Sequence, residues 1–337
     1  PRDTLYIGPA VMMAGYLGAA AIAYWWQPWV GLVFALLLLI PLAGEMSGKG
    51  LDLDAYTPRV NSQNVIARAP EGEGQRLTVV VSGHLDTQHA TWLFHPRFAR
   101  HVQTYLNVAY GSLGVMLVGL LLQALLPGAR LTAVLLAVGA VLLALHIAFL
   151  LACAFSGGYI NGANDNTTGA ALTLALAEYF AAHPLPGVRF HFVLTGAEEV
   201  GTRGAHVAAY RLKPQIALVL EGTTAADLPG VEEGKRVCTL GGGVVIPFMD
   251  HGTIYDRGLY NLLTRLADGN GIKWQTKGRI AGGTDASAIQ RSREGVRTAA
   301  LACAVRNIHS PACIAKIGDF DDMLRLARLF LEAVAND

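Results

Sequence analysis

Histidine and carboxylate side chains follow the ends of several short apolar segments in this chain. They are His84 with Asp86, Asp165, Glu198 with Glu199, Glu221, and His309. Because the carboxyl ends of strands in an open α/β sheet border a common crevice, we expect these groups to lie close together. Imidazole and carboxylate ligands suit Zn²⁺, with Co²⁺ or Mn²⁺ as alternatives. The spacing therefore predicts a metal site at one edge of a sheet.

The elements that must position these residues can be read from the pattern of apolar residues. Strand-type runs occupy residues 77–81, 188–194, 216–220 and 297–304, and they alternate with helix-type segments at 168–182, 202–211, 257–270 and 320–334. Nearly continuous apolar strands that alternate with helices are typical of a sheet covered on both faces. We therefore predict an α/β fold in which a mostly parallel, mixed sheet is sandwiched between helices.

The overall composition points to a membrane component as well. Of the 337 residues, 53% are hydrophobic and only 15% are charged, against about 25% charged residues in ordinary globular domains. The net charge of +1 provides no attraction for nucleic acid. Four long apolar runs lie at residues 7–26, 30–43, 106–126 and 131–155. We interpret them as four transmembrane helices forming two hairpins, with a signal peptide and a buried soluble helix pair as the alternatives.

This interpretation predicts a divided catalytic domain. Residues 1–48 would form the first membrane hairpin, 49–98 the first part of a peptidase domain, 99–155 an inserted membrane hairpin, and 156–337 the remainder of that domain. Basic residues near the spans favour a cytoplasmic catalytic domain in a multi-pass integral membrane protein. Arg2, Lys49, Arg97 and Arg100 lie on the side of the soluble segments, and Arg130 lies on the other.

Six motifs in the soluble segments carry a resemblance to a known group of enzymes. They are GHLDT (83–87), NGANDNTTG (161–169), TGAEEVGTRGA (195–205), LVLEGTT (218–224), GGTDASAIQ (282–290) and RNIHSP (306–311). On these motifs the sequence resembles the co-catalytic dinuclear zinc aminopeptidases of metallopeptidase families 28 and 42, as a membrane-anchored variant. The four apolar runs lie outside the resemblance.

The resemblance implies a role for each matching residue. His84 and Glu221 would bind one zinc, Glu199 and His309 would bind a second, and Asp165 would bridge the two. Glu198 would be the general base, and Asp86 would hydrogen-bond the far nitrogen of His84 and fix its tautomer. Apart from these carried-over roles, Gly283, Thr284 and Asp285 are candidates to line the substrate pocket or to position His309, and a glycine-rich strand-to-helix turn is the alternative.

The implied function is that of a membrane-anchored exopeptidase with two Zn²⁺. It would remove N-terminal residues from peptides by means of a metal-bridging water and the Glu198 base. Glu221 stands where the aminopeptidases usually have Asp, so a carboxypeptidase or an acyl-amino-acid amidohydrolase is the alternative. A non-catalytic membrane scaffold is a third reading. The expected partners are a peptide substrate and the lipid bilayer, and homo-oligomerisation is left open.

Overall fold

The computed structural model describes residues 6–47, 60–70, 74, 77–98, 101–155 and 157–336. The chain forms two units, Pro1–Val60 with His89–Gly158, and Asn61–Gln88 with Tyr159–Asp337. The units therefore divide after Val60, Gln88 and Gly158. The boundaries predicted from the sequence lie after residues 48, 98 and 155. Arg2, Lys49 and Arg100, which carry most of the predicted charge bias, lie outside the described residues.

Within the described residues of the first unit, four α-helices occupy the four apolar runs. They are α1 (Ile7–Trp25), α2 (Pro28–Ser47), α3 (Val102–Leu125) and α4 (Arg130–Phe155). Small residues let these helices approach closely, since a Cβ at Gly31 would lie 2.5 Å from the Ala19 carbonyl oxygen. Met116 and Leu143 pack in the same apolar cluster. Close helix packing through small residues is typical of membrane bundles.

The prediction of four membrane spans needs a correction. Within the described residues, α1, α3 and α4 are long and apolar enough to cross a membrane, whereas Pro28–Gly44 in α2 is a shorter apolar helix. At 1.5 Å per residue that stretch extends about 25 Å, less than the hydrocarbon thickness of about 30 Å. Pro41 also lies inside α2. Length and composition thus support three spans in place of four.

The second unit is built on an eight-stranded mixed sheet. Its strands are β1 (Val65–Arg68), β2 (Leu77–His84), β3 (Val188–Thr195), β4 (Ile216–Thr224), β5 (Val244–Val245), β6 (Trp274–Gln275), β7 (Arg297–Arg306) and β8 (Ile314–Ala315). The order is β1-β3-β2-β4-β7-β5-β6, and β8 pairs with β7. The four central strands are parallel. β1 pairs antiparallel with β3, and β5 and β8 pair antiparallel with β7, while β5 and β6 are parallel. The predicted α/β fold with a mixed sheet is confirmed.

Helices cover both faces of this sheet. They are α5 (Thr168–Ala182), α6 (Arg203–Leu212), α7 (Arg257–Gly269), α8 (Ala286–Gln290) and α9 (Ile317–Asn336). Val79 and Val81 of β2 pack in the cluster that includes α5, α7 and α9, whereas Val80 packs in the cluster that includes α6 and α8. Alternate side chains of a strand point to opposite faces. The continuous apolar run of β2 therefore reflects burial on both sides.

Candidate metal centre

The carboxyl ends of the four central strands bring the predicted ligands together. His84 is the last residue of β2, Glu221 lies near the end of β4, and Glu199 follows β3. His309 follows β7, and Asp165 lies in the irregular turn Ala163–Thr167 directly before α5. Among the residues that the structure describes, three groups of possible metal ligands result, namely His84 with Asp165 and Glu221, Asp165 with Glu199 and His309, and His84 with Glu198 and Glu199.

Asp165 joins two of these groups through its two carboxylate oxygens. Its Oδ1 lies 3.2 Å from His84 Nε2, which is also 3.2 Å from Glu221 Oε1. Its Oδ2 lies 3.0 Å from His309 Nε2, which is 3.5 Å from Glu199 Oε2. The Asp165 carboxylate thus has His84 and Glu221 on one side, and His309 and Glu199 on the other. This arrangement suits two cations bridged by Asp165, as in two-metal sites with ions roughly 3.5–4 Å apart.

The hydrogen bonding of the carboxylates fits bound metal. Glu221 Oε2 and Glu199 Oε1 are buried and have no hydrogen-bond partner within the described part of the chain. A buried charged oxygen without a partner is costly, and buried charges are normally paired or coordinate a metal. Two imidazoles and three carboxylates form a donor set of the kind that Zn²⁺ accepts. The residues present therefore fit a pair of divalent cations.

The pKa shifts reflect the crowding of acidic groups. Burial raises the pKa of Glu199 to about 7 and raises the pKa of Glu221. Burial would also raise the pKa of Asp165, but hydrogen bonds from His309 and His84 outweigh it and hold that pKa well below its ordinary value. Buried carboxylates with shifted pKa values cluster at functional sites.

Glu198 lies beside the ligands. Its Oε2 is 4.0 Å from His84 Nε2, and burial raises its pKa well above the ordinary value. Ala197, directly before it, has a φ of 58°, in the left-handed region. His309 has a φ of 61°. Such conformations are uncommon for residues other than glycine and are found at functional sites.

Asp86 acts through different atoms from those predicted. The His84 Nδ1–H donates to the backbone carbonyl of Asp86 at 2.8 Å, while the Asp86 carboxylate oxygen lies 3.7 Å away. A carbonyl oxygen can only accept, so Nδ1 carries the hydrogen and Nε2 is available to a metal. The carboxylate instead accepts the backbone N–H groups of Glu198 and Glu199, each at 3.0 Å. It therefore fixes the turn that presents these two glutamates.

Asn166 positions Asp165, a role that the motifs in the sequence did not predict. Its side-chain amide donates to the Leu220 carbonyl at 2.9 Å, and its oxygen accepts the Gly169 N–H at 3.0 Å. Gly83 and Gly169 allow the close approach, since a Cβ at Gly83 would lie 2.6 Å from the Gly169 carbonyl carbon. The sequence feature that could have indicated this role is the NDN segment at residues 164–166, with Gly169 three residues after it.

Gln88 is a second residue that sequence reasoning missed. Its amide donates to Glu199 Oε2 at 3.1 Å in a buried contact. No spacing rule points to a lone glutamine, because amide side chains are common and are not typical metal ligands. The bond orients a carboxylate that also faces His309.

The three predicted substrate-binding residues occupy different environments. Asp285 is buried, its carboxylate accepts the Thr195 hydroxyl at 2.5 Å, and burial raises its pKa to about 7. Thr284 is buried, and its hydroxyl accepts the Ala286 N–H at 3.2 Å. Gly283 is exposed. Thr284 and Asp285 thus hold their loop in place, and substrate contact stays a prediction for all three.

Comparison with known proteins gives one family match. A family model described as M42 glutamyl aminopeptidase matches residues 152–326, a little more than half of the 337 residues. The matched region contains Asp165, Glu198, Glu199, Glu221 and His309, and His84 precedes it.

Individual relatives match over similar stretches. A glutamyl aminopeptidase from Lactococcus lactis subsp. cremoris is 33% identical over 178 residues, covering 52% of this chain and 46% of that protein. A lysyl aminopeptidase from Pyrococcus furiosus is 34% identical over 143 residues, covering 42% of this chain and 40% of that protein. The solved structure of an aminopeptidase from the archaeon Desulfurococcus kamchatkensis is 31% identical with a TM-score of 0.47, covering 50% and 47%. The chain spans about half the length of the curated relatives it matches.

Proposed function

The chain belongs to the peptidase M42 family, and from this premise we propose that it is a membrane-anchored aminopeptidase with two Zn²⁺. The observation that carries the proposal is the position of Asp165 between His84 and His309, with one carboxylate oxygen facing each imidazole. His84 and Glu221 would hold one ion with Asp165, and Glu199 and His309 would hold the other with it. Co²⁺ or Mn²⁺ would suit the same ligands.

Glu198 performs the proton transfers in this proposal. When bound, the two metals lower the pKa of a water and polarise the scissile carbonyl. The Glu198 carboxylate accepts the proton of the attacking water and passes it to the leaving amine. Asp86 holds the Glu198 backbone in place through the N–H bond at 3.0 Å. Asn166 holds the turn that presents Asp165.

A pair of matched peptides tests the aminopeptidase reading. Detergent-purified protein is loaded with zinc and given a peptide with a free amino end and its N-acetylated twin. We expect cleavage of the free peptide alone, from its amino end, and loss of cleavage when a chelator removes the metal. Cleavage of the acetylated twin instead would identify a carboxypeptidase or acyl-amino-acid amidohydrolase, the alternative that Glu221 favours. Cleavage of neither peptide by protein with bound metal would favour the non-catalytic scaffold.

The helices of the first unit support the membrane anchor. Large apolar side chains on α1 and α4 face outward, such as Trp25 at 78% and Leu145 at 63% exposure. Surfaces of this kind are rare on soluble monomers. Because β2 pairs directly with β3 and β4, both ends of the segment inserted between β2 and β3 lie on the same side of the membrane. The segment must therefore cross the membrane an even number of times, and the pair of helices α3 and α4 meets this condition.

The orientation and the assembly are separate parts of the proposal. Arg97 precedes α3, whereas Arg130 lies at the turn between α3 and α4. The basic residues Lys49, Arg97 and Arg100 before α3, against Arg130 at the turn, favour a cytoplasmic peptidase unit. Accessibility of cysteines introduced next to each arginine, probed from either side of the membrane, tests this orientation.

Homo-oligomerisation stays a prediction, which the mass of the detergent-purified protein would test.

A further inference from the structure

The loop that carries Glu198 and Glu199 leaves the sheet at the end of β3 and runs into the start of α6. It comprises residues 196–202, and both glutamates belong to the candidate metal centre. The two ends of the loop meet where the Gly204 N–H donates to the Gly196 carbonyl at 3.0 Å. The loop is therefore closed at its base, and the position of the two glutamates depends on what holds that base.

Asn64 holds both ends of this loop with one side-chain amide. Its Oδ1 accepts the Gly196 N–H at 3.1 Å, and its Nδ2–H donates to the Gly204 carbonyl at 2.8 Å. Both bonds are partly buried, and they join residues 132 and 140 positions apart in the sequence. A side-chain amide offers an acceptor and a donor on two atoms of one plane. It can therefore bridge a backbone N–H and a backbone carbonyl at once.

Glycine at both ends of the loop allows this close approach. A Cβ at Gly204 would collide with Asn64 Oδ1, and a Cβ at Gly196 would lie 2.5 Å from the Gln63 carbonyl oxygen. Neither glycine has a positive φ, so the reason for glycine here is space and not backbone conformation. The segment before β1 is thus packed directly against the base of the loop.

The strand that presents Asn64 contributes little apolar burial of its own. Asn64 directly precedes β1, which lies at the edge of the sheet and whose four residues are exposed. In the antiparallel pairing of β1 with β3, Val65 lies opposite Leu194, which places Asn64 beside the end of β3. Because exposed side chains gain little from the hydrophobic effect, the main contribution of β1 to the site is the position of Asn64.

A second side chain holds the middle of the same loop from the other flank of β3. The Asp86 carboxylate, which follows β2, accepts the N–H groups of Glu198 and Glu199. Since β1 and β2 both pair with β3, Asn64 and Asp86 approach the loop from opposite sides. Asp86 fixes its centre, and Asn64 fixes its base.

We propose that Asn64 is a positioning residue of the metal centre, which holds Glu198 in place for proton transfer and Glu199 in place for metal binding. This inference rests on the proposed function and adds a residue to the machinery of the same site. Asn64 touches neither glutamate side chain and acts through the backbone of the loop. Replacing groups that orient metal ligands from behind typically costs about 10–100-fold in metal affinity or activity.

Two substitutions of Asn64 in the detergent-purified protein test the proposal. Asn64→Ala removes both hydrogen bonds, whereas Asn64→Asp keeps the size of the side chain but cannot donate to the Gly204 carbonyl. For both we expect kcat on the free-amino peptide to fall by about 10–100-fold while KM stays unchanged. Calorimetric zinc titration should show one ion bound more weakly by a similar factor, while the ion at His84 and Glu221 keeps its affinity.

Asn270→Ala is the matched control. Asn270 lies at the end of α7, and its amide also donates a partly buried hydrogen bond to a backbone carbonyl, that of Leu266, at 2.8 Å. Loss of this bond should lower the stability of the protein and leave kcat and both zinc affinities unchanged.

Several outcomes would overturn the proposal. Equal losses of kcat and zinc affinity in Asn64→Ala and Asn270→Ala would assign Asn64 a general structural role. Unchanged kcat in both Asn64 variants, or a rise in KM alone, would also overturn it. Cleavage of neither peptide by the wild type would contradict the proposed function separately. In that case the zinc titration still tests the inference, and wild-type affinities for both ions in both Asn64 variants would overturn it.

Discussion

Glu198 and the metal ligands differ in the chemistry expected of them. We predict that Glu198→Gln lowers kcat by about 10²–10⁴-fold, because the amide keeps the shape of the side chain but cannot accept a proton. Both metal ions should remain bound. Steady-state kinetics and metal analysis of the same sample measure the two effects. Glu232→Gln, at an exposed position, is the control, and loss of an ion with the activity would identify Glu198 as a ligand.

The contacts of Asp86 give a second prediction for a single residue. Asp86→Asn leaves one acceptor oxygen for two backbone N–H groups, which should cost about 1–3 kcal/mol in the free energy of unfolding. Glu198 and Glu199 lose their fixed turn, so kcat should fall as well. The His84 bond to the Asp86 carbonyl is unaffected by the substitution. Denaturant unfolding and kinetics measure these changes, with exposed Asp321→Asn as control. Unchanged stability and kcat would contradict the assignment of the carboxylate.

The sequence was informative about residue types and less so about atoms. The ligand set could be named because His84 and Glu221 stand in recognisable motifs at strand ends and Asp165 in one directly before a helix, and the structure brings the three together. Which oxygen of Asp86 faces which partner depends on side-chain rotamers and on the turn after β3, which no spacing specifies. Gln88 was missed because its contact with Glu199 arises only when β2 and β3 pair.

The start of α5 shows how an element positions the site. A Cβ at Gly169 would collide with the Leu220 carbonyl and the Asn166 side chain. We therefore predict that Gly169→Ala lowers the free energy of unfolding by about 1–3 kcal/mol, as overpacking does, and weakens metal binding because Asp165 shifts. The matched control is Gly269→Ala at the end of α7, where nothing lies within 4 Å of an added Cβ. There we expect a gain of about 0.5–1 kcal/mol.

Thermal or denaturant unfolding of both variants, with zinc titration, checks this prediction. Equal effects of the two substitutions would contradict the close packing of α5 on β4.

Long elements of this unit could be predicted from the sequence, as the run at 168–182 shows, since it coincides with α5. Short strands such as β5 and β8 could not, because two residues carry no periodicity and their pairing with β7 is a tertiary effect.

At the scale of the whole molecule, the proposal requires lipid around the outward faces of α4. Val141 and Leu145 are exposed near the middle of this helix. Replacing both with lysine should sharply reduce the carbonate-resistant membrane fraction, since each lysine at a span centre costs about 2.5–3.5 kcal/mol. The control replaces Val207 and Ile254, exposed apolar residues of the peptidase unit. Equal resistance of both double variants would contradict a lipid-facing α4.

The count of bound ions tests the central claim, a two-metal site bridged by Asp165. The measurement is zinc content per chain after chelation, reloading and desalting, for the wild type and for Asp165→Asn. We expect two ions in the wild type. For Asp165→Asn we expect loss of at least one ion, because the amide cannot offer a charged oxygen to each side. At most one ion in the wild type, or two tightly held ions in the variant, would contradict it.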